Sequence, residues 1–220
     1  MTVLVIGASG GIGSAVVSRF LAAGHDVAGL DIAPPPPTLT AHPANRHIQY
    51  DLLSAEPLPN AGEVNILVAC AGVQGCGLAD IDVNLKALVR TTEHYGVQPA
   101  IRSICLVASA SAHTGSEFPE YAASKGGILP YAKNVALRIA RWGATCNSIS
   151  PGGVRTASNR RVMEDPALWS RIMDVTPLKR WTEPEEIAEW IYFLTTVNRS
   201  MTGQDILIDN GESIDSHFVW

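Results

Sequence analysis

Short apolar runs alternate with helical stretches along most of the 220-residue chain, and this alternation constrains the fold more strongly than any other feature. The run at residues 3–6 is rich in β-branched residues, ends at a glycine and precedes a helical pattern over about 11–23. Further runs predict strands at 27–30, 47–50, 66–70, 104–108, 145–150 and 205–208. Such alternation predicts a parallel sheet with helices on both faces and right-handed crossovers. We therefore expect a single doubly wound α/β domain over residues 1–220, with about seven parallel strands.

Prolines set the expectations for several connections. Four consecutive prolines at 34–37 predict a stiff surface loop, with a ligand for a proline-recognition module as the alternative. The connection over 51–65 contains Pro57 and Pro59 and is barely long enough for a parallel crossover, so we expect it to lack a full helix. Pro130 removes one backbone hydrogen bond from a long helix at about 119–142, which predicts a kink.

Two further helices are predicted, one at about 80–95 and one that ends near residue 194. Thr182 and Glu185 have the spacing of a capping box at the start of the second helix. In that arrangement the threonine accepts from the first turn and the glutamate reaches back to the backbone of the threonine.

The composition argues against several classes of function. The net charge is −5 and 17% of the residues are charged, so we expect no nucleic-acid partner. No apolar run reaches the roughly 18 residues of a membrane span, and no basic segment precedes the first run, so we expect neither a membrane span nor a signal peptide. The cysteines and histidines lack metal-ligand spacing, which predicts no metal site and a reduced, cytoplasmic enzyme.

A glycine-rich segment, Gly7-Ala-Ser-Gly-Gly-Ile-Gly13, lies between the first strand and the first helix. Glycines allow a tight turn and a close approach to a ligand, and the helix N-terminus offers N–H groups to a pyrophosphate. Asp31 ends the second strand, where a carboxylate can accept hydrogen bonds from both adenosine ribose hydroxyls. Because this charge would repel a 2′-phosphate and no arginine lies nearby, we expect NAD rather than NADP. The alternative is that Asp31 merely starts a turn.

Tyr121 and Lys125 are four residues apart on the long helix, so that the phenol and the ammonium share one face. The pKa of an ordinary tyrosine is about 10, and we expect the neighbouring cation to lower it, so that the phenol can act as general acid or base. Taken alone, the pair is more simply a surface tyrosine on a lysine stem. Ser109 changes that interpretation, because it follows the fifth strand, where open α/β sheets form ligand crevices; Ser111 is the alternative hydroxyl.

These motifs together resemble the short-chain dehydrogenase/reductase family of small NAD(P)-dependent alcohol and ketone oxidoreductases, over nearly the whole chain. Besides the glycine-rich segment and Ser109, the resemblance is carried by Ala69-Cys-Ala-Gly72, Val83-Asn84, Tyr121-Ala-Ala-Ser-Lys125, Pro151-Gly-Gly-Val-Arg-Thr156 and Thr202-Gly-Gln-Asp205. The resemblance implies a Rossmann-type fold, an NAD(P) cofactor, a small alcohol or ketone substrate, and a homodimer or homotetramer; the expectation of NAD rests on Asp31.

The resemblance also implies roles for individual residues. Tyr121 is the expected general acid/base, Lys125 the group that lowers its pKa and binds the nicotinamide ribose, and Ser109 the anchor of the substrate oxygen. Asn84 completes the expected catalytic set by holding a water that links Lys125 to solvent. Asp51 matches the position that meets the adenine amino group. The remaining implied cofactor contacts are Gly7, Ser9, Gly10, Gly11, Ile12, Gly13, Asp31, Ile32, Leu52, Ala69, Ala71, Gly72, Tyr121, Lys125, Pro151, Gly152, Val154 and Thr156.

The chain also departs from the family pattern. Ile6 stands where threonine often precedes the first glycine, and Ala69-Cys70 replaces a usual pair of asparagines. The spacing between Gly72 and Asn84 is about half of the family's, and the connection after Asp51 is short. We expect these losses to expose the adenine side of the cleft or to alter the surface used for oligomers.

The segment at about 156–181 corresponds to the family's mobile substrate flap. Its apolar residues indicate a mostly hydrophobic or cyclic substrate, or simple packing onto the sheet; they are Val162, Met163, Leu168, Trp169, Ile172 and Met173. We expect His113 and Phe118 to border the pocket, and the aromatic tail at 216–220 to be buried against a neighbouring subunit.

The sequence therefore predicts reversible hydride transfer between NAD(H) and a secondary alcohol or ketone. Two alternatives remain open: an NADP-dependent carbonyl reductase of the same family, and a non-catalytic nucleotide-binding sensor. A sugar-nucleotide epimerase or dehydratase of the extended family would need a larger substrate region than the stretch after Thr156 supplies.

Overall fold

A seven-stranded parallel sheet forms the centre of the computed structural model, which describes residues 1–116 and 118–214. The strand order is β3-β2-β1-β4-β5-β6-β7, so the winding direction reverses between β1 and β4, where sheets of this kind bind ligands. This confirms the predicted doubly wound, Rossmann-type sheet. The strands are β1 (Thr2–Ile6), β2 (Asp26–Asp31), β3 (Asn45–Gln49), β4 (Ile66–Ala69), β5 (Ser103–Val107), β6 (Thr145–Pro151) and β7 (Asp205–Ile208).

Helices connect most of these strands. They are α1 (Gly11–Ala22), α2 (Pro37–Thr40), α3 (Leu78–Ile81), α4 (Leu88–Thr91), α5 (Ser111–Thr114), α6 (Pro119–Ile139), α7 (Arg160–Met163), α8 (Pro166–Val175) and α9 (Pro184–Tyr192). The π-helical turns Asp82–Ala87 and Thr92–Gly96 join and extend α3 and α4, so that 78–96 is one helical segment near the predicted helix. Helix α6 runs through Pro130, where the kink stays a prediction. The last of the four consecutive prolines starts α2 rather than ending a loop, a position that suits its fixed φ.

Each face of the sheet buries its own apolar core. In β1, Val3 and Val5 belong to one core, whereas Leu4 and Ile6 belong to the other, as the two-residue period of a strand requires. Helices α1 and α9 contribute to the first core, and α6 contributes to the second. Because both faces are covered, the central strands β1, β4 and β5 are apolar except for the first residues of β1 and β5, which explains their uninterrupted apolar runs in the sequence.

The connection between β3 and β4, all of it described, contains no helix, as predicted. Side chains from the next helical segment hold it in place. Arg90 donates to the Ser54 carbonyl at 2.9 Å and to the Tyr50 hydroxyl at 2.7 Å. The Tyr95 hydroxyl donates to the Pro59 carbonyl at 2.6 Å. These bonds satisfy carbonyl groups that a helix would have paired internally.

The predicted capping box at Thr182 and Glu185 is wrong by one residue. Glu183 is the N-cap residue of α9, and its backbone N–H donates to the Glu186 carboxylate at 2.9 Å. The Thr182 hydroxyl accepts instead from the Asn210 side chain at 2.8 Å, so a long-range contact withdraws it from the helix terminus.

Two other expectations concern membranes and the C-terminus. Within residues 1–116 and 118–214, no helix has the length and apolarity needed to cross a bilayer. The aromatic tail at 216–220 lies outside the described residues.

Replacing Tyr95 with phenylalanine removes the donor to the Pro59 carbonyl while keeping the buried ring. We expect the free energy of unfolding in urea to fall by about 1 kcal/mol, the usual net contribution of a buried hydrogen bond. Tyr192→Phe is the matched control, because the Tyr192 ring also packs against an aromatic neighbour and its hydroxyl makes none of the hydrogen bonds found among the described residues. An equal loss in both variants would contradict this role for Tyr95.

Candidate active site

The glycine-rich turn lies at the carboxyl end of β1 and packs against the segment that follows β4. Gly7 has a φ of +79°, and a Cβ there would lie 2.5 Å from the backbone nitrogen of Ala71. A Cβ on Gly13 would lie 1.9 Å from the Gly7 carbonyl oxygen. The turn therefore requires glycine at both positions. At Gly7 the backbone after β4 leaves no room for a side chain, and at Gly13 the start of α1 lies too close to the end of β1.

The N-terminus of α1 provides backbone donors for a phosphate group. Gly10 is the N-cap residue, and no side chain caps the first turn. The N–H groups of a first helical turn lack intrahelical acceptors, and the helix dipole favours an anion there. A Cβ on Gly10 would meet nothing closer than the Gly7 carbonyl oxygen at 3.5 Å, so the backbone at the N-cap is accessible. This turn fits the pyrophosphate of a dinucleotide.

The Asp31 carboxylate lies beside the same turn. One of its oxygens accepts from the Ser9 N–H and the other from the Ala33 N–H, each at 2.9 Å. The Ser9 hydroxyl donates to the Ala33 carbonyl at 2.9 Å. These bonds fix the carboxylate at the end of β2, and each oxygen keeps a lone pair for a ribose hydroxyl. The sequence left two alternatives for Asp31, the start of a turn and a contact with the ribose, and this geometry allows both.

The ends of β2 and β3 present exposed side chains where the adenine is expected. Ile32 is 61% exposed, and Asp51 is also exposed. One oxygen of Asp51 accepts from the Leu53 N–H at 2.8 Å, which leaves its second oxygen for an amino group. Leu52 is partly buried against the core beneath.

Ser109, Tyr121 and Lys125 converge at the end of β5. The Lys125 ammonium lies 5.8 Å from the centre of the Tyr121 ring and donates at 2.9 Å to the carbonyl of Val107, the last residue of β5. The Ser109 hydroxyl lies close enough to the phenol to influence its pKa through a hydrogen bond. The Ser109 hydroxyl also accepts from the Ser111 N–H at 3.2 Å. Of the two serines, only Ser109 acts on the pKa of the phenol, so Ser109 is the hydroxyl beside it.

Burial controls the pKa values of both ionisable groups. It lowers the pKa of Lys125 from its ordinary 10.5 to about 8, because the side chain has almost no contact with water. Burial likewise raises the pKa of Tyr121, against the opposing effect of the Ser109 hydroxyl, and the Asp80 carboxylate raises it further. The predicted lowering of the Tyr121 pKa is therefore wrong for the chain by itself, since the loss of water around the phenol outweighs the hydrogen bond from Ser109.

Asn84 is fully buried in the π-helical turn Asp82–Ala87, close to Lys125. A Cβ on Gly72 would lie 3.2 Å from the Asn84 Oδ1 and 3.3 Å from the Lys125 Nζ. The Asn84 amide accepts from the Val73 N–H and donates to the Val73 carbonyl, both at 2.8 Å. Asn84 thus clamps the chain that follows β4, and the water relay stays a prediction.

Asp80 is a site residue that sequence reasoning missed. Its side chain is fully buried and accepts from the N–H groups of Gly75 and Cys76, at 3.0 and 3.2 Å. The carboxylate fixes the loop between β4 and α3 and acts electrostatically on Tyr121. The available sequence signal was an acidic residue in a first helical turn, which the helix dipole explains equally well.

The predicted nicotinamide wall, residues 151–156, leaves β6 and contacts the glycine-rich turn. A Cβ on Gly11 would lie 2.5 Å from the methyl carbon of Thr156, so the wall and the turn touch. Val154 pairs with Thr182 in an isolated β-bridge, which ties the wall to the end of the proposed flap.

Two residues, His113 and Phe118, were expected to border the pocket. The His113 ring lies 2.7 Å from the Asp205 carboxylate at the start of β7, so it is engaged in an ion pair or hydrogen bond there. Phe118, three residues before Tyr121, has a φ of +33°, and its ring lies 3.2 Å from the position of a Cβ on Gly75.

Among the described side chains, no group of three His, Cys, Asp or Glu residues is placed to hold a metal ion.

The fold and these side chains define a dinucleotide-binding protein of the dehydrogenase/reductase class. A family model described as enoyl-(acyl carrier protein) reductase matches residues 7–213. The chain belongs to the short-chain dehydrogenase/reductase family, whose members are oxidoreductases that use nicotinamide cofactors.

Relatives match along most of their length. The short chain dehydrogenase adrF of Penicillium roqueforti is 30% identical over 254 aligned positions, which cover 97% of each chain. This alignment is longer than the 220-residue chain, so the relative contains segments that the chain lacks. A solved 4-hydroxyisoleucine dehydrogenase complexed with NADH is 28% identical with a TM-score of 0.87, covering 98% of this chain and 99% of that one. A 2-deoxy-d-gluconate 3-dehydrogenase from Agrobacterium tumefaciens with bound NADP is 27% identical with a TM-score of 0.86, covering 96% and 95%.

Replacing Lys125 with methionine removes a buried charge at similar side-chain volume. The pKa of Lys125 is about 8 in the folded chain and 10.5 ordinarily, so the buried ammonium destabilises the fold at pH 7. This destabilisation decreases as the pH rises above 8 and is absent above 10.5, where the lysine is neutral in both states. We expect Lys125→Met to raise the free energy of unfolding at pH 7 by about 1–3 kcal/mol, after loss of the bond to Val107.

The measurement is chemical denaturation of wild type and variant at pH 7 and pH 10.5, where the difference should shrink. Lys133→Met, at an exposed position of the same helix, is the matched control and should change stability by less than about 0.5 kcal/mol. If the free energies of unfolding of Lys125→Met and wild type differ by the same amount at both pH values, the assigned cost of burying the ammonium is refuted.

Proposed function

We propose that this protein is an NAD(H)-dependent oxidoreductase that interconverts a secondary alcohol and a ketone. The observation that carries the proposal is the convergence of Ser109, Tyr121 and Lys125 at the end of β5. A hydroxyl and a phenol side by side can hold and protonate one carbonyl oxygen, and the buried ammonium next to them favours the phenolate in the reverse direction.

Each of the three groups has one task in this mechanism. A dinucleotide held by the glycine-rich turn, Asp31 and the wall at 151–156 would supply the hydride chemistry and, in its oxidised form, a positive charge that favours the phenolate. The Ser109 hydroxyl donates to the substrate oxygen and fixes its position. The Tyr121 hydroxyl gives its proton to that oxygen during reduction and takes it back during oxidation. Lys125 stabilises the phenolate that forms during oxidation, and Asn84 is proposed to hold the water that connects Lys125 to solvent.

Asp31 supports NAD rather than NADP as the cofactor. Its carboxylate is fixed beside the glycine-rich turn by the N–H groups of Ser9 and Ala33. A ribose with free hydroxyls can donate to this group, whereas a 2′-phosphate would be repelled by it. The solved relatives include one complexed with NADH and one with bound NADP, so the alternative of an NADP-dependent carbonyl reductase needs a direct test.

The apolar flap supports a mostly hydrophobic or cyclic substrate. Residues 156–181 contain α7 and α8, and none of the residues of these two helices is buried. The six apolar flap side chains named from the sequence are all half-buried, so part of their surface stays available to cover a substrate.

We also infer a cytoplasmic homodimer or homotetramer without a membrane or nucleic-acid partner. Exposed apolar side chains on α9 and the turn that follows it support self-association. Trp190 and Phe193 are 43% and 42% exposed with their rings 6.3 Å apart, and Val197 is 56% exposed.

Replacing Tyr121 with phenylalanine removes the proton donor and keeps the ring. We expect kcat on a panel of alcohols and ketones to fall by at least about 100-fold, as is usual for loss of a general acid/base, with little change in NADH binding. Tyr192→Phe is the control, because its hydroxyl lies on α9. Equal turnover in wild type and Tyr121→Phe would remove this mechanism, and a wild type that binds NADH without any turnover would favour the nucleotide sensor.

Replacing Asp31 with asparagine removes the charge and keeps an acceptor for the Ser9 or Ala33 N–H. We expect the ratio of kcat/KM with NADPH to that with NADH to rise by about tenfold or more, since repulsion of the 2′-phosphate is lost. Asp26→Asn, at the exposed start of β2, is the matched control. An unchanged ratio would mean that Asp31 does not select the cofactor.

A further inference from the structure

A half-buried carboxylate, that of Glu212, lies against the backbone of the proposed nicotinamide wall. One oxygen accepts from the Gly153 N–H at 3.3 Å, and the other accepts from the Thr176 hydroxyl at 3.3 Å. Thr176 is fully buried and is the C-cap residue of α8, the longer helix of the flap. Glu212 therefore joins the wall to the end of the flap helix.

Two adjacent glycines make this contact possible. A Cβ on Gly152 would lie 2.6 Å from the Glu212 Oε2. A Cβ on Gly153 would lie 2.0 Å from the Trp181 indole nitrogen. The carboxylate and the indole thus occupy the space where side chains of the wall would otherwise lie, and they support the wall backbone directly.

A pair of tryptophans gives the flap a second contact with the same place. The rings of Trp169, on α8, and Trp181 meet edge to face with centres 5.0 Å apart. The Trp181 indole N–H has no hydrogen-bond partner among the described residues, but it lies near enough to Glu212 to lower the pKa of that carboxyl. Burial has the larger effect and raises the pKa of Glu212.

The loop that carries Glu212 is fixed by its own hydrogen bonds. Asp209 is buried and accepts from the N–H groups of Gly211 and Ser213, at 3.0 and 2.8 Å. The Asn210 carbonyl accepts from the Leu178 N–H at 3.2 Å, which ties the loop to the chain just after α8. These hydrogen bonds fix the backbone on both sides of Glu212.

We propose that Glu212 is a positioning residue that couples the flap to the wall at Gly152–Gly153 and so sets the affinity for the nicotinamide end of the dinucleotide. It acts through the Gly153 N–H and the Thr176 hydroxyl and does not touch the substrate. This inference rests on the proposed function, because it presumes that the wall receives the nicotinamide. A purely structural glutamate would stabilise the fold and affect all parts of the cofactor alike.

The test compares the affinities of NADH and ADP-ribose, which lacks the nicotinamide ring, by isothermal titration calorimetry. Glu212→Ala should weaken NADH binding by about fivefold or more and leave ADP-ribose binding within about twofold. Glu212→Gln keeps one acceptor, so its affinity for NADH should lie between those of wild type and Glu212→Ala. Glu185→Gln, an exposed acid on α9, is the matched control and should bind both ligands like wild type.

Two results would overturn the inference: an equal loss of affinity for both ligands, or no loss for NADH in either Glu212 variant. If Glu212→Ala does not fold, Glu212→Gln alone carries the comparison, with an expected selective loss of about threefold for NADH. If the wild type binds NADPH but not NADH, the same comparison would use NADPH and 2′-phospho-ADP-ribose. A wild type that binds neither dinucleotide would refute the proposed function itself.

Discussion

The candidate site depends on one hydrogen bond, from the buried Lys125 ammonium to the Val107 carbonyl at the end of β5. This bond fixes α6 against the sheet edge where ligands bind, and it places Tyr121, one turn earlier, beside Ser109. A purely structural contact would not require a charge whose burial lowers its pKa to about 8. A costly ionisable group at the carboxyl end of the central strands is typical of a site selected for chemistry rather than for stability.

The parts of the structure that could be predicted are those that the chain encodes locally. The central strands β1, β4 and β5 are mainly apolar because both faces of the sheet are covered there, and a run of four or five such residues is visible without any knowledge of their partners. The same holds for the glycine-rich turn, where close packing excludes side chains at Gly7 and Gly13. It also holds for Tyr121 and Lys125, whose four-residue spacing needs nothing beyond a helix.

The parts that could not be predicted depend on partners distant in the sequence. Thr182 has the residue type and spacing of a helix cap, but its hydroxyl accepts a hydrogen bond from the Asn210 side chain. Asn84 has the expected position near Lys125, but its amide is occupied by the Val73 backbone. The direction of the Tyr121 pKa shift was wrong for the same reason, because burial is a property of the packed molecule and has no signature in a four-residue motif.

The helix-free connection between β3 and β4 also bears on the order in which the chain can become structured during synthesis. Its contacts come from side chains such as Arg90 and Tyr95, which lie beyond β4 in the sequence. Shortening a loop by half saves only about 0.6 kcal/mol of closure entropy, so the short length alone does little to hold the connection. A nascent chain that ends before these residues therefore lacks the side chains that hold the connection, although β3 can already pair with β2. We expect the connection to become ordered only after the following helical segment has left the ribosome.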